Sequence, residues 1–250
     1  MREGGRLHLT LHDTIRASLD AVRSRIDAAA RRSGRRADQV TLVAVSKTFG
    51  PDAVRAAWAA SQRDFGENKV QEGLEKIAAT ADMADVRWHL IGHLQSNKVK
   101  KAVGPFHHVQ SIDSVDLLRR VDAAAVAVGA SPEILVQADL AGEATKFGAA
   151  EDEVERIVRA ALDARAVKLA GLMILPPWSD DPELTRPWFV RLRELRDRLV
   201  ASGVPDGALR HLSMGMSHDF EAAIEEGATM VRVGTAIFGK RTYSTTSVRP

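Results

Sequence analysis

Eight short apolar segments recur along the chain and are separated by segments with helical periodicity. The segments are 40–46, 63–67, 87–92, 106–111, 133–140, 167–175, 210–215 and 230–234. Their apolar runs are nearly continuous, which is typical of strands covered on both faces in a parallel sheet. Eight such β–α units in 250 residues fit a closed (β/α)8 barrel, the TIM-barrel fold of the α/β class.

An additional helix precedes the barrel. Apolar residues at helical spacing predict it over 10–32, with Thr10 and Asp13 as its start and Gly34 as its stop. The alternative architecture is an open doubly wound sheet, but the glycine-rich loop that usually follows an early strand of that fold is missing. We therefore predict one domain, 1–250, with the helix at 10–34, the barrel at 40–239 and a loose polar tail at 240–250.

Composition excludes several classes of protein. A net charge of +2 is too small for a nucleic-acid binder, and the one basic cluster, 30–36, is typical of a solvated helix end. With no cysteine, the chain has no disulfide and no thiol nucleophile. No apolar run has the length of a signal peptide or of a membrane span. The expected location is the cytoplasm, with neither a membrane nor a nucleic acid as partner.

The first strand ends in a lysine, in "VAVSKTFG" (43–50). Barrels of this kind collect their chemistry at the carboxyl ends of the strands, which places Lys47 at a site. An amine at the mouth of an apolar barrel is partly desolvated, and desolvation favours the neutral form that forms Schiff bases with carbonyl compounds. The alternative is that Lys47 only neutralises Glu67 or a bound phosphate.

The segments after the seventh and eighth strands predict a phosphate site. "SMGMS" (213–217) leads into a helix, and "VGTAIFG" (233–239) offers backbone amides at Gly234 and Thr235. The alternative for Ser217 is a plain helix N-cap. A phosphate site opposite an amine fits a carbonyl compound that carries a phosphate. Pyridoxal 5′-phosphate (PLP) and a phosphorylated sugar aldehyde both satisfy this description.

Arg232 helps to choose between these two compounds. It lies two residues before Gly234 and therefore on the same face of the strand, one layer deeper. An arginine at that depth can face a pyridine nitrogen and keep it unprotonated, since two positive charges repel. The alternative is an interior salt bridge, for example to Glu67. His89 and His93 straddle a strand end without a nearby carboxylate, so ligand lining or helix capping is favoured over a metal site.

Several motifs together resemble the YggS/PROSC-type pyridoxal phosphate homeostasis proteins. They are "VAVSKTFG", "FGENKVQE", "WHLIGHLQSNK", "HLSMGMSHDFEAAIEEG" and "VRVGTAIFG", in order between about 40 and 240. The resemblance implies a barrel like the N-terminal domain of alanine racemase, with PLP as cofactor. It also implies the cofactor-binding residues, which are Lys47 as the Schiff-base lysine, Asn68, His89, Met214, Ser217, Arg232, Gly234 and Thr235. Lys146 in "TKFG" is the candidate for a second lysine that exchanges the cofactor.

Two classes of function are compatible with such a site. A two-base amino-acid racemase needs a second base opposite the lysine, and the single tyrosine, Tyr243, lies in the polar tail. A carrier would hold PLP and pass it on to PLP-dependent apoenzymes, with little turnover and no catalytic residue. A Schiff-base aldolase is a third alternative, with Glu67 as its acid–base group. The missing base, and the missing domain that would deliver it from a partner subunit, favour a monomeric carrier that acts in PLP homeostasis.

Overall fold

The computed structural model describes residues 10–142 and 147–240. All eight predicted strands are present in it. They are β1 (Thr41–Val45), β2 (Asp64–Glu67), β3 (Arg87–Leu90), β4 (His108–Ile112), β5 (Glu133–Ala138), β6 (Lys168–Ile174), β7 (His211–Ser213) and β8 (Met230–Val233). Each strand is shorter than its apolar segment, and β4 is also shifted, since it begins two residues later and ends one residue later than the segment 106–111.

Helices connect the strands. In the described ranges they are α1 (Leu11–Arg32), α2 (Pro51–Ala59), α3 (Val70–Ala79), α4 (Val99–Ala102), α5 (Val115–Val128), α6 (Glu151–Leu162), α7 (Arg186–Ala201), α8 (Phe220–Glu225) and α9 (Thr235–Phe238). The short helices α4 and α9 were not predicted, since four residues carry no readable periodicity. Helix α8 is shorter than the predicted 218–227.

The strands form a closed parallel barrel in chain order. β1 pairs with β2 on one side and with β8 on the other, where Val43 lies opposite Arg232. The barrel prediction is therefore confirmed, and the open doubly wound alternative is wrong. Closure between β8 and β1 brings the end of β1 beside the loop that follows β8.

Helix α1 covers the barrel next to this closure. Thr10 and Asp13 form the predicted capping box, in which each side chain accepts a hydrogen bond from the other residue's backbone N–H. Its buried face packs against α2, α8 and α9. Arg25 adds a bidentate ion pair to Glu221 of α8, at 2.7 and 3.1 Å.

Two apolar layers fill the fold. The larger one lies between the strands and the surrounding helices, and a small cluster of Leu135, Ala170, Met173 and Met230 lies inside the barrel. Buried polar side chains lie beside this cluster, among them Gln110, His89 and Ser213. Lys146, Tyr243 and the predicted tail lie outside the described residues, apart from Lys240. No helix in the described part of the chain is both long and apolar enough to cross a membrane.

Candidate functional site

A cavity of about 720 Å³ opens at the carboxyl end of the barrel, where the fold predicts a site. Six of the eight predicted binding residues line it. These are Lys47, Asn68, Ser217, Arg232, Gly234 and Thr235. They come from the loops that follow β1, β2 and β7, and from β8 with the turn after it, and the closed strand order brings them to one end of the barrel.

The other two predicted residues, His89 and Met214, do not line this cavity. His89 is fully buried inside the barrel, below the cavity, where it hydrogen-bonds Asp64 and Gln110. Met214 follows an inward-pointing residue, so its side chain points outward into the apolar layer between strands and helices. Their motifs belong to the region of the site, but these two side chains do not line the cavity.

The backbone on both sides of Lys47 is fixed by a buried ion cluster. Lys76 of α3 is 4% exposed and donates to Ser46 O at 2.7 Å, to Glu67 Oε1 at 2.7 Å and to Glu72 Oε1 at 2.8 Å. Glu72 in turn accepts a hydrogen bond from the backbone N–H of Thr48. Thr48 has φ of 72°, a left-handed conformation that a β-branched residue rarely adopts. The cluster therefore holds the turn from which the Lys47 side chain leaves β1.

Glu67 belongs to this ion cluster and not to the lining of the cavity. Its carboxylate lies between β2 and α3, where it accepts hydrogen bonds from Ser46 Oγ and Lys76. Burial raises the pKa of Glu67, although the hydrogen bonds from Lys76 and Ser46 act in the opposite direction. The aldolase alternative needs this carboxylate beside a substrate, and the structure contradicts that placement.

Ser217 connects the two loops of the predicted phosphate site. Its Oγ accepts hydrogen bonds from the backbone N–H of Gly234 at 3.1 Å and of Ala236 at 3.4 Å. It does not cap α8, whose preceding turn is closed by Asp219 instead, through Met216 N–H. The N-cap alternative for Ser217 is therefore wrong. Two amides and a hydroxyl converge on one point at the edge of the cavity, an arrangement that suits an anion.

Glycines permit the close approach of these loops. A side chain at Gly234 would bring a Cβ to 3.1 Å from Val45 O. Gly215 has φ of +91°, and a Cβ there would lie 2.6 Å from that of Ala223. The observed backbone positions are therefore possible only for a residue without a side chain, which explains the glycines of "SMGMS" and "VGTAIFG".

Arg232 forms the inner wall of the cavity and is 3% exposed. It donates to Ser213 Oγ at 2.6 Å and to Ile174 O at 2.7 Å. Burial lowers its pKa to about 10, opposed by the carboxylate of Asp219. A salt bridge to Glu67 was the alternative, and Glu67 is bound to Lys76 instead. An arginine has five N–H donors, so a ligand in the cavity can meet a guanidinium that is only partly engaged by the described residues.

The loop after β6 supplies residues that the sequence did not identify. Leu175, Pro176 and Trp178 line the cavity, and Trp178 is 66% exposed at its mouth. The Trp178 ring lies 3.8 Å from that of His218, which also lines the cavity. Listing the residues at the end of the sixth strand, as for the other strands, would have found "LPPW". The further lining residues are Val45, Ile91, Met216 and Ala236.

A second cavity, of about 690 Å³, adjoins the first and shares Asn68, Ile91 and Leu175 with it. His93 lines this second cavity, stacked on Phe147 with 3.8 Å between the ring centroids. His89 and His93 are thus in different environments. No group of three or more His, Asp or Glu side chains within 10–142 and 147–240 is arranged to hold a metal ion.

The cavity brings together three kinds of chemistry. An amine stands at the end of β1, an amide-rich anion site lies beside it across the barrel closure, and a buried guanidinium lies between them and below. These groups fit a carbonyl compound with a phosphate group and a hydrogen-bond acceptor in its ring. PLP has all three features, whereas a phosphorylated sugar aldehyde has the carbonyl, the phosphate and hydroxyl acceptors but no ring nitrogen.

Comparison with known proteins gives a consistent result. A family model described as "Alanine racemase, N-terminal domain" matches residues 17–242. The chain is 42% identical over 225 residues to the pyridoxal phosphate homeostasis protein of Aquifex aeolicus, covering 90% of this chain and 97% of that protein. It is 38% identical over 229 residues to the protein of the same name from Escherichia coli, covering 91% and 97%.

Solved structures support the same fold. PipY from Synechococcus elongatus, solved with PLP bound, is 37% identical, with a TM-score of 0.80 over 90% of this chain and 100% of that one. An alanine racemase from Clostridium difficile has a TM-score of 0.70 at 15% identity, over 93% of this chain and 58% of the racemase. The second similarity concerns the fold alone.

Proposed function

The chain belongs to the alanine racemase N-terminal-domain family and to its pyridoxal phosphate homeostasis proteins, and on this premise we propose that it binds PLP and acts in PLP homeostasis. Lys47 holds the cofactor as a Schiff base. The amides of Gly234 and Ala236, with the hydroxyl of Ser217, hold the phosphate. The protein buffers the reactive aldehyde and delivers it to PLP-dependent apoenzymes.

The observation that carries this proposal is the convergence of Lys47, Ser217 and Arg232 on one cavity. A phosphate at Ser217 would take over the two amide hydrogen bonds that its hydroxyl accepts in this structure. The relatives carry PLP homeostasis in their names, and PipY was solved with PLP. Asn68 and Thr235 complete the proposed binding set at the cavity wall.

Arg232 favours a holding role over turnover. PLP acts as an electron sink when its ring nitrogen is protonated. A guanidinium opposite that nitrogen opposes protonation, because both groups would carry positive charge. The bound cofactor then stabilises a carbanion poorly, which suits a protein that keeps PLP available and unreacted.

A racemase-like activity is the second candidate, favoured by the fold shared with alanine racemase. It needs a proton donor and acceptor on the side of the cofactor opposite Lys47. Besides Lys47, His218 is the described lining residue able to transfer protons near neutral pH. It is next in sequence to Ser217 of the proposed phosphate site, and its ring lies against Trp178. We therefore propose that turnover, if assayed, is far below that of a dedicated racemase.

The binding proposal is tested by absorbance spectroscopy, borohydride reduction and peptide mass mapping. We expect a visible Schiff-base band and a reduced PLP adduct on the peptide that contains Lys47. Lys47→Ala removes both, whereas Lys98→Ala, which changes a lysine of the adjoining cavity, retains both. An adduct on a different peptide, or a band that survives Lys47→Ala, contradicts the proposal.

The carrier role is tested by transfer to a PLP-dependent apoenzyme. We expect the loaded protein to restore activity of the apoenzyme and Lys47→Ala protein to carry no cofactor to it. Alanine and other amino acids should show no racemisation above that of free PLP. Racemisation rates comparable to those of dedicated racemases would contradict the carrier proposal and support the racemase alternative. Cytoplasmic location and a monomeric state remain predictions, checked by cell fractionation and light scattering.

A further inference from the structure

A continuous chain of hydrogen bonds runs through the inside of the barrel, from the cavity toward the opposite end. It begins with Arg232 Nη1 to Ser213 Oγ at 2.6 Å, followed by Ser213 Oγ to Gln110 Oε1 at 2.6 Å. Gln110 Nε2 lies 2.9 Å from His89 Nδ1, and His89 Nε2 lies 2.9 Å from Asp64 Oδ1. Arg87 closes the chain with a bidentate bond to Asp64, at 2.6 and 2.8 Å.

The donor and acceptor roles along this chain follow from its cavity end. Arginine only donates, so the Ser213 oxygen accepts from it and its proton goes on to Gln110 Oε1. The amide nitrogen of Gln110 must then donate to His89. His89 Nδ1 is therefore an acceptor, and the ring is neutral with its proton on Nε2, directed at Asp64. Each group can play only one role, so the chain has a single consistent direction.

The chain is buried and firmly anchored at its far end. Ser213, Gln110 and His89 are each at most 1% exposed, so water does not compete for their hydrogen bonds. Asp64 is 6% exposed, and the pKa of its carboxyl is lowered to about 2, because the hydrogen bonds from His89 and Arg87 outweigh its burial. The anchor is thus a permanent carboxylate at neutral pH.

Arg232 needs this support because little else orients it. Its Nη2 donates to Ile174 O at one end of the guanidinium, and its Nη1 donates to Ser213 Oγ at the other. The charge that acts on it is that of Asp219, which is not hydrogen-bonded to it. The plane of the guanidinium is therefore set by Ile174 O and Ser213 Oγ together, and the Ser213 hydroxyl is in turn oriented by Gln110.

We propose that Ser213, Gln110, His89 and Asp64 are positioning residues, which fix the guanidinium of Arg232 toward the ring nitrogen of the cofactor. This proposal rests on the proposed PLP site. It gives His89, which does not reach the cavity, a role behind three other side chains, those of Gln110, Ser213 and Arg232. The neutral, Nε2-protonated form of His89 is part of it, because a proton on Nδ1 would face the amide protons of Gln110.

The test compares variants that keep or break the chain of hydrogen bonds behind Arg232. His89→Leu and Gln110→Met break it with little change of side-chain volume. His89→Gln retains an acceptor toward Gln110 and a donor toward Asp64. Leu135→Met serves as the matched control, because it changes an apolar side chain inside the barrel that takes no part in these hydrogen bonds.

Two measurements report on Arg232 directly. In the cofactor-free protein, hydrogen exchange of the 15N-labelled Arg232 guanidinium reports its immobilisation, with Arg232→Lys protein identifying the signal. In the loaded protein, the 15N shift of labelled PLP reports protonation of its ring nitrogen. We expect His89→Leu and Gln110→Met to accelerate guanidinium exchange, to move the ring nitrogen toward the pyridinium shift and to weaken PLP retention about three- to tenfold. His89→Gln and Leu135→Met retain wild-type values.

The proposal is overturned if His89→Leu and Gln110→Met match Leu135→Met in both measurements, or if His89→Gln is as impaired as His89→Leu. Should the two larger changes prevent folding, Ser213→Ala decides in the same way, since it removes the hydroxyl that links Arg232 to Gln110. Absence of PLP binding in the wild-type protein would refute the proposed function. Hydrogen exchange of the Arg232 guanidinium in the cofactor-free protein would still test whether these hydrogen bonds orient Arg232.

Discussion

Replacing Lys76 by methionine tests whether the buried ion cluster below Lys47 determines both stability and reactivity. The change keeps the unbranched apolar part of the side chain and removes its ammonium group. Three hydrogen bonds are lost, to Ser46 O, Glu67 and Glu72. Glu72 can turn to solvent because its side chain is 26% exposed, but Glu67 is 0% exposed and keeps only the bond from Ser46 Oγ.

The size of the effect follows from the buried charge that remains. Removing one partner of a buried pair costs about 3–5 kcal/mol. We expect about 3 kcal/mol at neutral pH, the low end of that range, because Glu67 can take up a proton. Burial already raises its pKa, and loss of Lys76 raises that pKa further. A folded-state pKa above the unfolded value means stability is lost as pH rises through it, so the deficit is larger at pH 8 than at pH 5.

Urea unfolding of the wild-type and variant proteins at pH 5 and pH 8 measures this deficit. The double variant Glu67→Gln, Lys76→Met lacks the uncompensated charge and should recover most of the stability. Lys69→Met, at an exposed lysine, should stay within about 0.5 kcal/mol of wild type. A deficit below about 1 kcal/mol at pH 8, or one independent of pH, would refute the assignment of Lys76 as the partner that Glu67 requires.

The same double variant separates stability from the placement of Lys47. It restores stability but not the hydrogen bond that holds Ser46 O. We therefore expect the Schiff-base band to form on the order of tenfold more slowly than in wild type, because a misplaced amine reacts from a poorer geometry. Stopped-flow absorbance after mixing with PLP measures this rate. A wild-type rate in the double variant would show that the cluster serves stability alone.

Three further predictions concern the phosphate site and the barrel interior. Ser217→Ala should weaken PLP binding about tenfold and leave the binding of pyridoxal, which lacks the phosphate, unchanged in an absorbance titration. Gly215→Ala should cost about 2–4 kcal/mol in urea unfolding, because φ is +91° and the new methyl group meets Ala223 at 2.6 Å. Asp64→Asn should cost about 2 kcal/mol at pH 7. That cost should shrink as pH falls from about 4 toward 2, because the depressed pKa of Asp64 contributes stability that is present above its unfolded pKa and lost as the folded carboxylate is protonated.

The sequence predicted the barrel and most of the cavity because both depend on local patterns. Apolar runs placed the eight strands, and the rule that barrel sites lie at the carboxyl ends then selected Lys47, Arg232 and Gly234. Trp178 was missed because the rule was not applied to the end of β6. Met214 was misplaced because a loop residue's orientation depends on where the strand alternation stops.

Roles that depend on pairing between distant segments could not be predicted. Glu72 and Lys76 are spaced like an ordinary solvated helix pair, yet the structure buries Lys76 against the end of β1. Ser217 precedes a helix as an N-cap would, yet its hydroxyl accepts from the loop after β8. His89 lies in a motif shared with the family, and its position inside the barrel assigns it to the chain behind Arg232.

By itself, therefore, the sequence determined the secondary structure, the closed barrel, the family and the lysine at the end of the first strand, because these depend on periodicity and on residues that are neighbours in the chain. Only the tertiary structure decided which polar groups face the cavity and which support it from behind. Closure of β8 onto β1 sets that division, since it brings together side chains more than 180 residues apart. A hydrogen bond forms only where such groups meet in space, and no local pattern encodes that distance.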